Sequence, residues 1–138
     1  HIGGTDFDRA LALASAMPQL GYRSYLQSGI EMPSSYYFNL ATWHTINFTY
    51  TRKVWAELQD VYRQAQDKTK VDRLLRLVER RAGHWLALQV EATKIALSGA
   101  DVADLDMDEL EAGLSHPVYR SEFDAAAEPL VARVEATL

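Results

Sequence analysis

The sequence predicts an α+β domain that is mainly helical, with a small antiparallel sheet near the C-terminus. Two observations favour this class. Over most of the chain, apolar residues recur at intervals of three and four, as they do along the buried face of a helix. Later the interval changes to two, because Ala103, Leu105 and Met107 alternate with aspartates, which is typical of a half-exposed strand.

The composition limits the class of protein. The 138 residues are enough for one domain, and the absence of cysteine excludes disulfides, thiolate metal sites and cysteine nucleophiles. A net charge of −5 argues against a nucleic-acid binder, and no apolar run approaches the ~20 residues that span a bilayer. We therefore expect residues 1–138 to form a single cytoplasmic domain with no nucleic-acid or membrane partner.

The first helix is predicted over residues 6–17, with Thr5 or Asp6 as its cap and Pro18 ending it. A pair of glycines precedes it and predicts a tight turn. Because such a turn normally follows a strand, we expect the chain to be cut from a larger protein.

The next third of the chain is less regular. Residues 18–35 are rich in Pro, Gly, Ser and Gln and predict a loop. Residues 36–51 have helical spacing but strand-favouring composition, and we favour a helix. Residues 52–66 predict a clear helix, whose buried stripe comprises Val54, Leu58, Val61 and Ala65.

One long helix is predicted over residues 70–98, because apolar residues recur throughout this stretch. Gly83 lies in its middle and costs about 1 kcal/mol relative to Ala, so a bend is expected there. Gly99 is a natural C-terminal cap.

A hairpin and a final helix are predicted for the C-terminal part. Gly113 marks a turn after the alternating strand, and residues 114–119 return as its partner. Ser121 and Asp124 have the spacing of a capping box, and Pro129 is expected to kink the helix that follows or to loosen one of its turns. The apolar face of that helix comprises Phe123, Ala127, Leu130, Val134 and Leu138.

No metal site and no catalytic group are predicted within the chain. Asp104, Asp106 and Asp108 have the spacing of a calcium loop, but the Gly and Glu that such a loop requires are replaced by Glu109 and Ser115. An exposed strand face is the better interpretation. The four histidines are widely separated and lack zinc-binding spacing.

A basic run precedes residue 82, with Arg73, Arg76 and Arg80 on one helix face. Such runs are usually exposed helix surface, and the alternative is a docking face for an acidic partner. Further along, Glu91, Lys94 and Ser98 project from one stripe, which by itself indicates only an exposed Glu–Lys pair near a helix end.

Three stretches together resemble the nucleotide-binding domain of the DnaK-like chaperones, the seventy-kilodalton heat-shock proteins. "HIGGTDFDRAL" is similar to the family's H-[LI]-G-G-x-D-F-D phrase, and "VEATKIALS" resembles its adenosine-contacting helix, E-x-A-K-x-x-L-S. "SHPVYRSEFDAAAEPLVARV" resembles its strand leading into a helix, T-R-x-x-F-…-P. The resemblance covers residues 1–17 and 74–138. Residues 18–70 form an insertion, and "YFNLATWHTINF" is similar to the YegD-like branch of the family.

The resemblance implies a fold and a site. The chain would be the upper lobe-II subdomain, lobe IIB, of an actin-like ATPase fold, and its cofactor would be ATP or ADP. Gly4 would let the backbone approach the nucleoside, Glu91 and Lys94 would bond the ribose and the base edge, and Ser98 would bond a base nitrogen. The family's arginine that stacks on adenine is replaced by Ile95, which keeps the apolar contact but loses guanidinium stacking.

The function that the resemblance implies is the adenosine-facing wall of an ATP cleft in a chaperone. Mg²⁺ and the phosphate loops would belong to parts of the parent ATPase outside this chain, so the isolated fragment is expected to be inactive. The expected partners are the remainder of the ATPase domain and a nucleotide-exchange factor. Two alternatives stay open: a helical protein-interaction module, and a degenerate lobe that no longer supports hydrolysis.

Overall fold

A computed structural model describes residues 4–137 of the chain, and its regular structure is six α-helices and one two-stranded antiparallel sheet. The elements are α1 (Gly4–Leu11), α2 (Ser35–Ala41), α3 (Arg52–Gln64), α4 (Lys68–Glu79), α5 (Gly83–Leu97), β1 (Val102–Asp106), β2 (Ser115–Tyr119) and α6 (Arg120–Thr137). The predicted class, mainly helical with a small sheet near the C-terminus, is confirmed. The start of the first motif at residues 1–3, and Leu138 of the last helical face, lie outside the described residues.

The first helical segment continues beyond the predicted end at Pro18. After α1 the chain forms a π-helical turn, Ala12–Ala16, and then a 3₁₀ turn, Met17–Leu20. Pro18 lies in the first positions of that 3₁₀ turn, where its missing N–H costs nothing. The segment ends instead at Gly21, which adopts the left-handed conformation with φ of 97°. The prediction of a stop at Pro18 was therefore wrong.

The predicted loop and the ambiguous segment after it are largely as expected. Beyond Gly21 the chain is irregular up to α2, apart from short bridges such as the one between Tyr25 and Glu31. The helical prediction for residues 36–51 is confirmed, although the helix is divided into α2 and a 3₁₀ segment, Trp43–Thr49. Thr42 separates the two pieces because its backbone is extended.

The single long helix predicted over residues 70–98 was wrong. Two helices, α4 and α5, are separated at residues 80–82, where Arg81 has a positive φ of 52°. Gly83 begins α5 and lies against other parts of the chain. A Cβ there would be 2.5 Å from Ile46 Cγ2 and 2.7 Å from the Tyr50 hydroxyl, which accepts a hydrogen bond from the Gly83 N–H. Gly83 is thus a close-packing position as well as a helix start.

The hairpin and the last helix were predicted in the right places. Strands β1 and β2 pair with Leu105 opposite His116, and the buried side chains of Leu105 and Val118 face the core. The cap of α6 differs from the predicted box, because the Glu122 carboxylate accepts the hydrogen bond from the Tyr119 N–H. Helix α6 runs through Pro129.

The core is built around α5, which packs against α1, β1 and the 3₁₀ segment Trp43–Thr49, while α1 also packs against α6. Tyr37 is fully buried, and its hydroxyl donates a hydrogen bond to the Leu20 carbonyl at 3.0 Å. Of the predicted stripe on α3, Leu58 is fully buried, whereas Val54 and Val61 are half-buried. Among the helices of residues 4–137, none combines the length and the apolar character needed to cross a membrane.

Candidate functional site

The N-terminal end of α1 lies close to the side chain of Lys94, in the last turn of α5. A Cβ built on Gly4 would be 3.7 Å from the Nζ atom of Lys94, so the glycine backbone and the lysine ammonium are neighbours. These residues belong to two motifs that are far apart in the sequence. The tertiary structure therefore brings together the first and second stretches that resemble the chaperone family.

An ion pair joins the same two helices. Lys94 Nζ lies 2.8 Å from Asp8 Oδ1, and the two side chains are only 22% and 21% exposed. Oδ1 is buried, and the Lys94 ammonium is the described donor that approaches it. Asp8 therefore compensates the charge of Lys94, and its carboxylate has lone pairs left to accept a further hydrogen bond.

Lys94, Ile95 and Ser98 line one cleft of about 420 Å³. Phe7 of α1 and Arg120 of α6 also line it. Ile95 is 61% exposed, so its apolar surface is uncovered, and the Ser98 hydroxyl donates a hydrogen bond to the Ile95 carbonyl at 2.6 Å. This cleft combines two cationic groups and the Asp124 carboxylate with an exposed apolar surface.

Glu91 lies outside that cleft. It lines a separate cavity with Thr5 and Asp8, so the ion pair has Asp8 at the cavity and Lys94 at the cleft. Four of the predicted site residues are thus close to one another: Gly4 adjoins Lys94, and Lys94, Ile95 and Ser98 share a cleft. The fifth, Glu91, is one turn before Lys94 on α5 and faces a different space.

Sequence reasoning did not single out two residues of this region, Asp8 and Arg120. Both lie in the motif stretches already described: Asp8 ends the D-F-D phrase, and Arg120 occupies the arginine of the R-x-x-F pattern that leads to Phe123. The signal was present, but only the packing of α1 and α6 against α5 indicates what these side chains contact.

The basic run on α4 binds the chain's own β1–β2 loop. Both carboxylate oxygens of Glu111 accept hydrogen bonds from Arg73, at 3.2 and 3.0 Å, and Arg73 also donates to the Gln19 carbonyl. Arg76 donates to the Leu110 carbonyl at 2.9 Å, and Arg80 binds the Glu109 carbonyl. The Arg73 hydrogen bond holds the pKa of Glu111 below its ordinary value. Because these arginines form hydrogen bonds within the chain, fewer of their N–H groups are left for an acidic partner.

The aspartates of the hairpin act as turn acceptors. Asp104, Asp106 and Asp108 are exposed, Asp106 accepts a hydrogen bond from the Asp108 N–H, and Asp108 accepts one from the Gly113 N–H. Within residues 4–137, no group of three His, Asp or Glu side chains is arranged to hold a metal ion. His84 packs instead against the Trp43 ring, with centroids 4.4 Å apart.

Comparison with known proteins assigns no family to the chain. No protein-family model matches it, and no solved structure matches it either. The motif resemblance and the geometry of α1, α5 and α6 are therefore the grounds on which a function is proposed.

Proposed function

We propose that this chain is the lobe IIB subdomain of the ATPase domain of a DnaK-like chaperone, and that α1 and α5 form the adenosine-facing wall of its ATP cleft. The observation that carries the proposal is the contact between Gly4 and Lys94. Two motifs matched independently in the sequence would have to meet at one nucleoside, and they are adjacent in the fold. A random pair of short matches has no reason to meet in this way.

The third motif also supports the proposal. The resemblance requires a strand that leads directly into a helix at the R-x-x-F pattern. Strand β2 ends at Tyr119 and α6 begins at Arg120, so the change from strand to helix falls at the start of that pattern. The same step brings Arg120 to the cleft that Ile95 lines.

The cleft suits a nucleoside chemically. Lys94 supplies a charge-assisted hydrogen-bond donor, and its pairing with Asp8 holds the ammonium in position before a ligand arrives. Ile95 presents an apolar surface that a base would cover, and Arg120 supplies a guanidinium in place of the family's missing arginine. Glu91 lines the separate cavity and not this cleft, so the proposed nucleoside contacts rest on Lys94, Ile95 and Arg120.

The proposal assigns binding to this chain and hydrolysis to other parts of the parent. ATP or ADP is the cofactor, and Mg²⁺ is held by phosphate loops outside this chain. The isolated chain is therefore proposed to bind adenosine weakly and to release no phosphate from ATP. The remainder of the ATPase domain and a nucleotide-exchange factor are its proposed partners, in the cytoplasm.

The test is the affinity of the intact parent protein for ATP, measured by isothermal titration calorimetry. Lys94→Ala should weaken binding by about 1–3 kcal/mol, the size of a lost hydrogen bond to a charged group. Lys53→Ala, at an exposed lysine of α3, is the matched control and should leave the affinity unchanged.

A gain of affinity tests the same site more sharply. Ile95→Arg restores the family's stacking arginine at an exposed position and should tighten ATP binding by about 0.5–2 kcal/mol. Leu88→Arg, at another exposed apolar residue of α5, should not. If a folded wild-type parent binds no ATP, the proposal fails.

The second candidate function is a protein-interaction module, and the surface of the insertion favours it. Several large apolar side chains of residues 18–70 are exposed: Tyr25, Ile30, Phe38, Trp43 and Phe48. A substitution such as Phe48→Ser separates the two candidates, because it should leave ATP affinity unchanged while reducing any partner binding by this surface.

A further inference from the structure

We infer that the open cavity between α1, α2 and α5 is a second ligand site, distinct from the Lys94 cleft, and that it takes a small amine with an apolar body. The cavity has a volume of about 260 Å³. It involves residues of the insertion as well as the two motif helices, so the resemblance to chaperones does not account for it.

The inner wall of the cavity is apolar and buried. Met17, Leu40 and Leu86 line it, and each is at most 2% exposed. An apolar cavity of about 150 Å³ is enough to bind benzene, so about 260 Å³ accommodates a phenyl ring with a short side chain. These three residues belong to three different elements, the 3₁₀ turn Met17–Leu20, α2 and α5.

The other end of the cavity is acidic. Asp8 and Glu91 both line it, together with Thr5. The charge of Asp8 is compensated by Lys94, whereas Glu91 has no cationic partner within the described part of the chain. One negative charge is therefore left over, and a single cation is its natural complement.

The Asp8 carboxylate adds a second requirement for the ligand. Its Oδ1 atom is buried and already contacts the Lys94 ammonium at 2.8 Å, but the carboxylate keeps lone pairs for a second donor. An ammonium group has three N–H donors, so it could bind Asp8 and Glu91 together, which a neutral or anionic head group could not do as well. An apolar body with an amine head thus matches both ends of the cavity.

Trp43 provides a signal for binding. Its indole lines the mouth of the cavity, is 46% exposed and is braced by the His84 ring. A ligand that enters the cavity covers this indole and changes its fluorescence. The chain has three tryptophans, so the variant Trp43→Phe identifies which signal comes from the cavity.

The test is titration of the chain with phenethylamine, followed by tryptophan fluorescence, beside its neutral counterpart 2-phenylethanol. We expect phenethylamine to bind about two- to fivefold more tightly than the alcohol, the ratio that one partly exposed charge pair provides. Glu91→Gln should remove that preference. Glu79→Gln changes the charge equally at an exposed site away from the cavity, and should keep it.

Two further variants locate the ligand. Ala41→Leu, at a half-buried residue of the cavity wall, should abolish binding of both compounds, with circular dichroism showing that the chain is folded. Ile95→Arg in the Lys94 cleft should change neither affinity, which separates this site from the proposed nucleotide site. The inference is overturned if phenethylamine does not bind at about 10 mM, if the alcohol binds equally well, or if folded Ala41→Leu still binds.

Discussion

Lys94 Nζ lies 2.8 Å from Asp8 Oδ1, and this ion pair links α5 to α1 between the cleft that Lys94 lines and the cavity that Asp8 lines. Both side chains are about one-fifth exposed, so water screens the pair only in part. The pair thus serves two purposes: it holds the two motif helices together and it determines where the ammonium of Lys94 stands.

Removing Asp8 from this pair should destabilise the fold. Asp8→Asn leaves the Lys94 ammonium partly buried without a counter-charge, and we expect the free energy of unfolding to fall by about 1–2 kcal/mol, between the values for exposed and buried pairs. Urea denaturation measures it. Asp60→Asn, which breaks the exposed Arg63–Asp60 pair, is the control and should cost less than about 0.5 kcal/mol. Equal losses in the two variants would contradict this account of the Asp8–Lys94 pair.

Gly83 should not tolerate alanine, although alanine is the better helix former. The new Cβ would overlap Ile46 Cγ2 and the Tyr50 hydroxyl, and we expect a net loss of about 1–3 kcal/mol in the free energy of unfolding. Gly99→Ala is the matched control, because a Cβ there meets nothing within 4 Å. Thermal unfolding of both variants measures the difference, and a Gly83→Ala protein as stable as Gly99→Ala would show that the packing around Gly83 is loose.

The Arg73–Glu111 pair should make stability depend on acid pH. The pKa of folded Glu111 is lowered from its ordinary value of 4.5, mainly by the hydrogen bonds from Arg73. The unfolded state therefore binds a proton more readily, and stability rises with pH between the two pKa values. The contribution is fully present above the ordinary pKa and is lost as pH falls through the lowered one.

Glu111→Gln removes this titration and is the test. We expect the variant to melt at a lower temperature than the wild type near neutral pH, and the two melting temperatures to converge as pH falls below 4.5. Glu109 lies in the same loop, but it accepts the hydrogen bond from Arg80 with its backbone carbonyl and not with its carboxylate. The control Glu109→Gln should therefore keep the wild-type pH dependence. A difference between wild type and Glu111→Gln that stays constant with pH would refute the assignment.

Pro129 should be a position where the fold can be stabilised. The proline lies inside α6, where it lacks the N–H for a helix hydrogen bond, and its side chain is exposed. We expect Pro129→Ala to raise the free energy of unfolding by about 1–3 kcal/mol. Glu128→Ala, at the adjacent exposed position, should change it by less than about 0.5 kcal/mol. An unchanged stability for Pro129→Ala would mean that α6 beyond this point contributes nothing to the cooperative fold.

The helices and strands were predictable where their positions depend only on the spacing and type of neighbouring residues. The alternation around Leu105 identified β1, and Gly113 identified the turn after it, because strand spacing and turn chemistry are properties of adjacent residues. The apolar stripe through Leu58 identified α3 for the same reason. The prediction was wrong at Pro18 because the proline lies in the first positions of a 3₁₀ turn, where it does not end the segment. It was wrong at Gly83 because this glycine packs against Ile46 and Tyr50 at the start of a new helix.

The sequence named candidate residues for a site but did not give their arrangement. Four of the five predicted residues are close in space, because Lys94, Ile95 and Ser98 lie near one another at the C-terminal end of α5 and the packing of α1 brings Gly4 to Lys94. Glu91 faces another cavity, and the roles of Asp8 and Arg120 depend on how α1 and α6 cross α5. No rule of local spacing reports such crossings.

The sequence by itself determined the class of the fold, the hairpin, most helix positions and the residues of the motif stretches, because these follow from short-range periodicity and turn-forming residues. Only the tertiary structure decided that Arg73, Arg76 and Arg80 bind the chain's own loop, that Gly83 is a packing contact, and that Asp8 holds Lys94. The physical reason is that each of these depends on contacts between residues distant in the sequence. Such contacts are set by how the apolar faces of whole elements pack together, and a local pattern carries no information about them.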